Sequence, residues 1–180
     1  FFKTGVGTTQ GLEAGGFLKT RPELEMPDVQ IHFLAAMMMD HAREKADRHG
    51  FTVHVCQLRP ESRGFIGLKS TNPTDHALIQ PNYLDAENDR TVMRDGVKMV
   101  RNIINQDAMT PYRGAEFAPG EHVQSDEDID AWIKAKSETI YHPVGTAKMG
   151  NDPMAVVDAR CNVHGLEGLR VIDASVMPTL

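Results

Sequence analysis

Residues 51–73 read FTVHVCQLRPESRGFIGLKSTNP. The run Phe51 to Leu58 is short and rich in β-branched and aromatic residues. Its alternation puts Thr52, His54, Cys56 and Leu58 on one face and Val53, Val55 and Gln57 on the other, which predicts a strand with both faces at least partly covered. Arg59 to Gly64 (RPESRG) carries turn chemistry, and Phe65 to Ser70 (FIGLKS) resumes an extended pattern. So short a connection predicts an antiparallel hairpin. Asn72-Pro73 then breaks the pattern, and Leu78 to Pro81 reads as one more short edge segment.

Working outward, the upstream chain has the same texture. Glu13 to Leu18, with its Gly15-Gly16 pair, and Val29 to Leu34 (VQIHFL) are further predicted strands bounded by Pro or Gly. Gly11, Gly15 and Gly16 do not make a GxGxxG loop, and a strand rather than a helix follows them. Downstream the period changes. Asp85 is placed to cap a helix whose first turn carries Glu87 and Asp89, and Met93, Val97, Val100 and Ile104 recur at helical spacing. Ser125, with Asp128 three residues on, opens a second helix that buries Ile129, Trp132 and Ile133 and ends near Ser137. Strands first and helices second predict an α+β fold: a mainly antiparallel sheet of about five or six strands with helices on one face.

Composition bounds the function. The chain has 180 residues, 41% of them apolar, without a run near the roughly 18 apolar residues of a membrane span. A net charge of −6 supplies no basic stripe, so no nucleic-acid partner is expected. Cys56 and Cys161 stand far apart outside any CxxC, which fits a reducing compartment and unpaired thiols. No targeting signal is visible ahead of Phe1-Phe2. A cytoplasmic location is therefore expected, with membrane association of a full-length protein left open. The eight histidines form no HExxH and no tight His/Cys/Asp cluster, so no metal is expected. There is no GxSxG elbow and no phosphate loop.

The tail differs. Tyr141 to Gly150 reads YHPVGTAKMG, and Pro143 pushes His142 out of the helical region into extended backbone, aiming its side chain. Gly145 and Gly150 permit tight turns. Val156 to Asp158 and Leu169 to Ile172 are strand-like, with a turn between Gly165 and Gly168. Asp173 is suited to cap a following helix, and a strand running into a capped helix start is where anionic ligand groups are often held. By spacing alone His142 stays open between a satisfied strand histidine and a functional one.

YHPVGTAKMG followed by AVVDARCNVHGLEGLRVIDASVMP resembles the C-terminal signature of the glucose-methanol-choline oxidoreductases. LEAGGF (12–17), PDVQIHF (27–33), SRGFIGLKSTNP (62–73) and PGEHVQSDEDIDAWI (119–133) resemble the same family, above all its choline dehydrogenases and aliphatic alcohol dehydrogenases. Ala147 departs from the cysteine many relatives carry there.

That resemblance implies an FAD-dependent enzyme that oxidises the CH–OH group of a primary alcohol, choline or an aliphatic alcohol, by hydride transfer to the flavin. His142 is then the base. An imidazole, with its ordinary pKa of about 6.5, is mostly neutral yet basic at physiological pH. Asp173 and Ala174 are expected against the FAD, with Gly145 letting the loop approach the ring system. On the substrate side, Glu13 matches a glutamate facing the trimethylammonium group of choline, and Ile140 looks toward the pocket and excludes water. Met37, Met38 and Met39 offer an adaptable apolar wall. The resemblance further implies a substrate-binding domain over residues 1–137 and a returning, incomplete segment of the FAD-binding domain over 138–180. No GxGxxG unit is present, so the expectation is a C-terminal fragment, inactive by itself, with FAD held largely by a missing N-terminal part. Its expected partners are a small-molecule alcohol and an unidentified electron acceptor. The other open reading is a non-catalytic binding module that keeps the fold.

Overall fold

Val29 is fully buried and Ile31 and Leu34 nearly so, whereas Gln30 and His32 remain half-buried. A strand with buried residues on both faces and neighbours on both edges belongs in the middle of a sheet. The computed structural model, which describes residues 4, 8, 10–39, 43, 44 and 46–180, places it there. β1 (Leu12–Leu18), β2 (Val29–Leu34) and β3 (Thr52–Gln57) form an antiparallel sheet in that order. β4 (Phe65–Gly67) and β5 (Leu78–Gln80) form a separate antiparallel ribbon. α1 (Glu87–Ile104) and α2 (Asp126–Lys136) follow, with single 3-10 turns at Asp107–Met109 and Ala174–Val176. The architecture is α+β with five antiparallel strands, divided three and two. No described helix is long and apolar enough to cross a membrane.

The chain divides into two compact units: Phe1–Arg59 with Ala86–Ser137, and Pro60–Asp85 with Glu138–Leu180. In the first, the β1–β2 turn is closed by Asp28. Its carboxylate accepts the Thr20 amide at 2.8 Å and the Thr20 hydroxyl, while its carbonyl accepts the Leu58 amide at 2.8 Å. Leu12 pairs with Leu34 but Ala14 with Phe33, so Glu13 is the extra residue of a β-bulge. Val29 and Val55 lie on the face that α1 covers. A Cβ on Gly96 would stand 2.8 Å from Val55 Cγ2 and 3.6 Å from Val29 Cγ1, so the helix backbone reaches the sheet only because Gly96 has none. Asp89, 2% exposed, accepts Gln57 Nε2 at 2.9 Å. A buried carboxylate needs such a partner.

α2 packs on α1 rather than on the sheet. Arg94 Nη1 meets Asp130 at 2.7 Å, Lys98 meets Asp126, and Ile129 and Ile133 are buried beneath them. The Ser125 hydroxyl caps α2 by accepting the Asp128 amide at 3.1 Å, and the helix stops before Ser137, as its sequence predicts.

Four local expectations are corrected. Residues 51–58 and 65–70 do not pair: β3 is already paired with β2. The connection is instead self-closed, with Arg63 Nη1 donating to the carbonyls of Pro60 and Ser62 at 2.7 and 3.0 Å. β4 pairs with β5 through Phe65–Gln80, Ile66–Ile79 and Gly67–Leu78. A Cβ at Gly64 would lie 2.1 Å from the Gln80 carbonyl, so glycine opens this ribbon. α1 is capped at Ala86, without a side-chain bond, one residue after the expected Asp85, whose amide closes a turn to the Asn82 carbonyl. Its buried face runs through Asp89, Val92, Gly96 and Val97, rotated from the Met93–Val97–Val100–Ile104 stripe because the glycine makes the close contact. Residues 156–158 and 169–172 form isolated bridges rather than strands.

Gly96→Val should destabilise the first unit by about 1–3 kcal/mol, the usual cost of overpacking a filled core. Denaturant unfolding would show a lower midpoint at an unchanged slope. Gly114→Val, where a Cβ meets nothing within 4 Å, should leave the midpoint in place.

Candidate functional site

The second unit is laid out around Val157, which is fully buried. The chain passes it in a row of backbone segments. Met149 bridges to Val157 in parallel, Val157 to Val163 antiparallel, and Asn162 to Arg170 antiparallel. On the other flank of residues 145–149, the Ala147 amide donates to the Ser175 carbonyl at 3.0 Å and the Met149 amide to the Val176 carbonyl at 2.8 Å. YHPVGTAKMG and DASVMP are thereby joined by main-chain bonds.

Two turns give this row its shape. Tyr141 sits at φ +64, with its amide donating to Thr139 Oγ1 at 3.0 Å, so the residue before His142 holds left-handed backbone. Pro143 restricts His142 from the other side. Gly145, at φ +88, then turns the chain. A Cβ there would meet only the Met177 carbonyl at 3.6 Å, so glycine is required by the backbone angle and not by crowding.

His142 is exposed, and no described residue takes its ring in a hydrogen bond. His164 behaves oppositely: its Nε2 lies 3.0 Å from the Gly150 carbonyl, which secures the row. The contrast separates a histidine spent on structure from one left available. Ile140 is half-buried two residues before His142. Asp173 caps its 3-10 turn by accepting the Ser175 amide at 2.8 Å. Hydrogen bonds from the Ser175 side chain and then its amide hold the Asp173 carboxyl below the usual carboxylate range. Residues Ala174–Val176 form a single 3-10 turn. Ala174 is exposed and its amide donates to no described residue.

The second unit thus brings Gly145 beside residues 173–177, with Ile140 and His142 on the approach to that loop. Glu13 lies in the first unit, exposed on the bulge of β1. Bulges re-aim a side chain, and they recur next to active sites. Sequence reasoning missed the Ser175 and Val176 carbonyls that hold the loop, because main-chain acceptors leave no mark in residue type. It also missed Asp158, which accepts the amides of Arg160 and Asn162 at 2.8 and 2.9 Å and the Asn162 side chain at 3.0 Å. An Asp with Asn four residues later was the available signal.

The GMC oxidoreductase family profile matches residues 60–180, two-thirds of the sequence. The chain belongs to the GMC oxidoreductase family. This GMC chain is 48% identical over 179 residues to the mitochondrial choline dehydrogenase of Mus musculus, spanning 98% of itself and 30% of that protein. It is 47% identical over 180 residues to an alcohol dehydrogenase [acceptor] of Pseudomonas putida, spanning 100% of itself and 33% of the relative. Pyridoxine 4-oxidase from Mesorbium loti superposes with a TM-score of 0.86 at 28% identity, over 96% of this chain and 34% of the oxidase. The chain thus spans about a third of the length of the curated relatives it matches.

The row that carries the site should loosen in acid. The side chain and then the amide of Asn162 hold Asp158 below its ordinary value. A depressed carboxylate stabilises the folded state above its unfolded pKa of about 3.9, and that stabilisation is lost as pH falls through the folded value. Unfolding midpoints followed from about pH 6 to about pH 2.5 should therefore fall less steeply in Asp158→Asn than in the unaltered protein.

Proposed function

We propose that this chain supplies the substrate-binding sheet and the catalytic histidine of an FAD-dependent dehydrogenase that oxidises a primary alcohol, choline or an aliphatic alcohol, to its aldehyde. The observation that carries the proposal is His142: exposed, unengaged, and fixed between a left-handed residue and a proline. Family membership and the names of the relatives supply the reaction class.

When bound, FAD supplies the hydride acceptor. His142, as neutral imidazole, accepts the alcohol's hydroxyl proton at its unprotonated ring nitrogen, and its stiff backbone limits the positions that nitrogen visits. The exposed Ala174 amide, which serves no described residue, and the Gly145 turn fit a planar cofactor edge carrying acceptors. Asp173 keeps that turn in place through Ser175. Ile140 contributes apolar surface that excludes water from the proton transfer. Glu13 attracts a cationic substrate such as choline.

Within this reading, residues 1–137 are mainly substrate-binding and residues 138–180 are a returning part of the FAD-binding domain, with 60–85 accompanying the latter. Burial supports a dependence of the second unit on further polypeptide. Among its described residues Val157 alone is a buried apolar side chain, while Leu68 is 91% and Ile172 76% exposed. The chain by itself is therefore inactive, and FAD is bound mostly by the remainder of the protein.

In the full-length protein, His142→Ala should slow flavin bleaching by alcohol at least about 100-fold, the lower end for loss of a general base, while the flavin spectrum remains. Unchanged bleaching would remove His142 from the mechanism. Glu13→Gln should raise the choline KM about two- to fivefold, the range an exposed charge pair supports, and leave the hexanol KM alone. Equal effects on both alcohols would remove the cation contact.

A further inference from the structure

His142 is aimed by what precedes it as much as by Pro143. Tyr141 sits at φ +64 although its side chain is bulky, and it is 64% exposed. Left-handed backbone is an outlier for such a residue, because its Cβ crowds the following carbonyl. Gly145 takes the same region four residues later without that crowding. At Tyr141 the cost is offset locally: the amide donates to Thr139 Oγ1 at 3.0 Å, across two residues. A threonine hydroxyl closes such a turn as an acceptor. Thr139 is half-buried, so the bond is partly shielded from competing water. One hydrogen bond and one left-handed L residue are of the same order of free energy and opposite in sign. Loss of the bond therefore shifts Tyr141 toward right-handed or extended backbone.

A change of φ at Tyr141 turns every atom that follows it, beginning with the peptide that enters His142. Pro143 restricts the backbone of His142 itself, but not the direction from which the chain arrives. Beyond them the path is already held, since the Ala147 and Met149 amides are bonded to the Ser175 and Val176 carbonyls at 3.0 and 2.8 Å. His142 thus lies on a short span between an anchored row and the turn at residues 139–141. We propose that Thr139 is a positioning residue for His142, its hydroxyl holding Tyr141 left-handed so that the imidazole is presented in one direction. This rests on the reading of His142 as the base and adds to it the group that keeps the base aimed. Thr139 acts through the ring and takes no proton from the alcohol itself. Valine has the same branched shape without the acceptor, and serine keeps the acceptor without the methyl group, so the two substitutions separate the hydroxyl from packing.

The full-length flavoprotein tests this through Thr139→Val and Thr139→Ser. In Thr139→Val, hydrogen exchange at the Tyr141 amide, read by mass spectrometry, should quicken about three- to tenfold, the population factor one hydrogen bond commands. Flavin bleaching at saturating alcohol should slow by a similar factor, with the alcohol KM and the flavin spectrum unchanged, because aim is lost and binding is not. Thr139→Ser should restore both rates. Combined with His142→Ala, Thr139→Val should slow bleaching no further, since a residue that acts through the imidazole has nothing to act on once the ring is gone. An additional fall in that double variant would overturn the inference, and so would a Thr139→Ser enzyme no faster than Thr139→Val. The two readings fail separately. His142→Ala without effect removes the base and the positioning role together, whereas a slow His142→Ala beside a Thr139→Val enzyme of unaltered rate removes the positioning role alone.

Discussion

The distance between α1 and the sheet is set at Gly96. With no Cβ there, the helix backbone settles against Val55 and Val29, and that contact selects which helix face is buried. From it follow the burial of Val92 and Val97, the need to satisfy Asp89 through Gln57, and the position of the outer face on which Arg94 and Lys98 receive α2.

In the second unit Val157 is the one buried apolar side chain among the described residues, and order comes from the main chain. Segments around Met149, Val157, Val163 and Arg170 lie side by side through backbone bonds, with residues 175–176 on the outer flank. Buried polar backbone must be paired, and here pairing substitutes for apolar packing. A loop held this way keeps its path while its side chains vary. Such a loop suits a site where one ring, His142, must be positioned without being occupied by its neighbours.

Much of this was legible in the chain. Residues 29–34 give β2 both its boundaries, the run 51–58 places β3 to within one residue at each end, and Ser125 with Asp128 marks the start of α2 correctly. The prediction failed where two local signals competed for one partner. RPESRG has good turn chemistry, but β3 was already committed to β2, a long-range pairing that no short window contains. Asp85 is a good capping residue by type, yet it lies in the turn from Asn82 and the cap of α1 falls on Ala86. For the site, residue type and proline context drew attention to His142, and the resemblance gave it a role. That no described residue takes its ring was not legible, because it depends on where the folded chain places each neighbouring donor and acceptor. The Glu13 bulge was invisible for a similar reason: it is a mismatch of register between two strands, each of which looks regular alone.

The second unit is split in sequence, with residues 60–85 and 138–180 separated by the whole of Ala86–Ser137. On a ribosome the first piece emerges long before the second. The β4–β5 ribbon, with Ile66, Leu68 and Ile79 exposed, must therefore wait while α1 and α2 are made and docked. Two-stranded ribbons are marginal alone in water. Unpaired apolar strands that linger are targets for association with other chains. The interleaved order of the two units thus sets part of the timetable of synthesis: residues 86–137 of the helical unit are made before residues 138–180, which carry the site-bearing row.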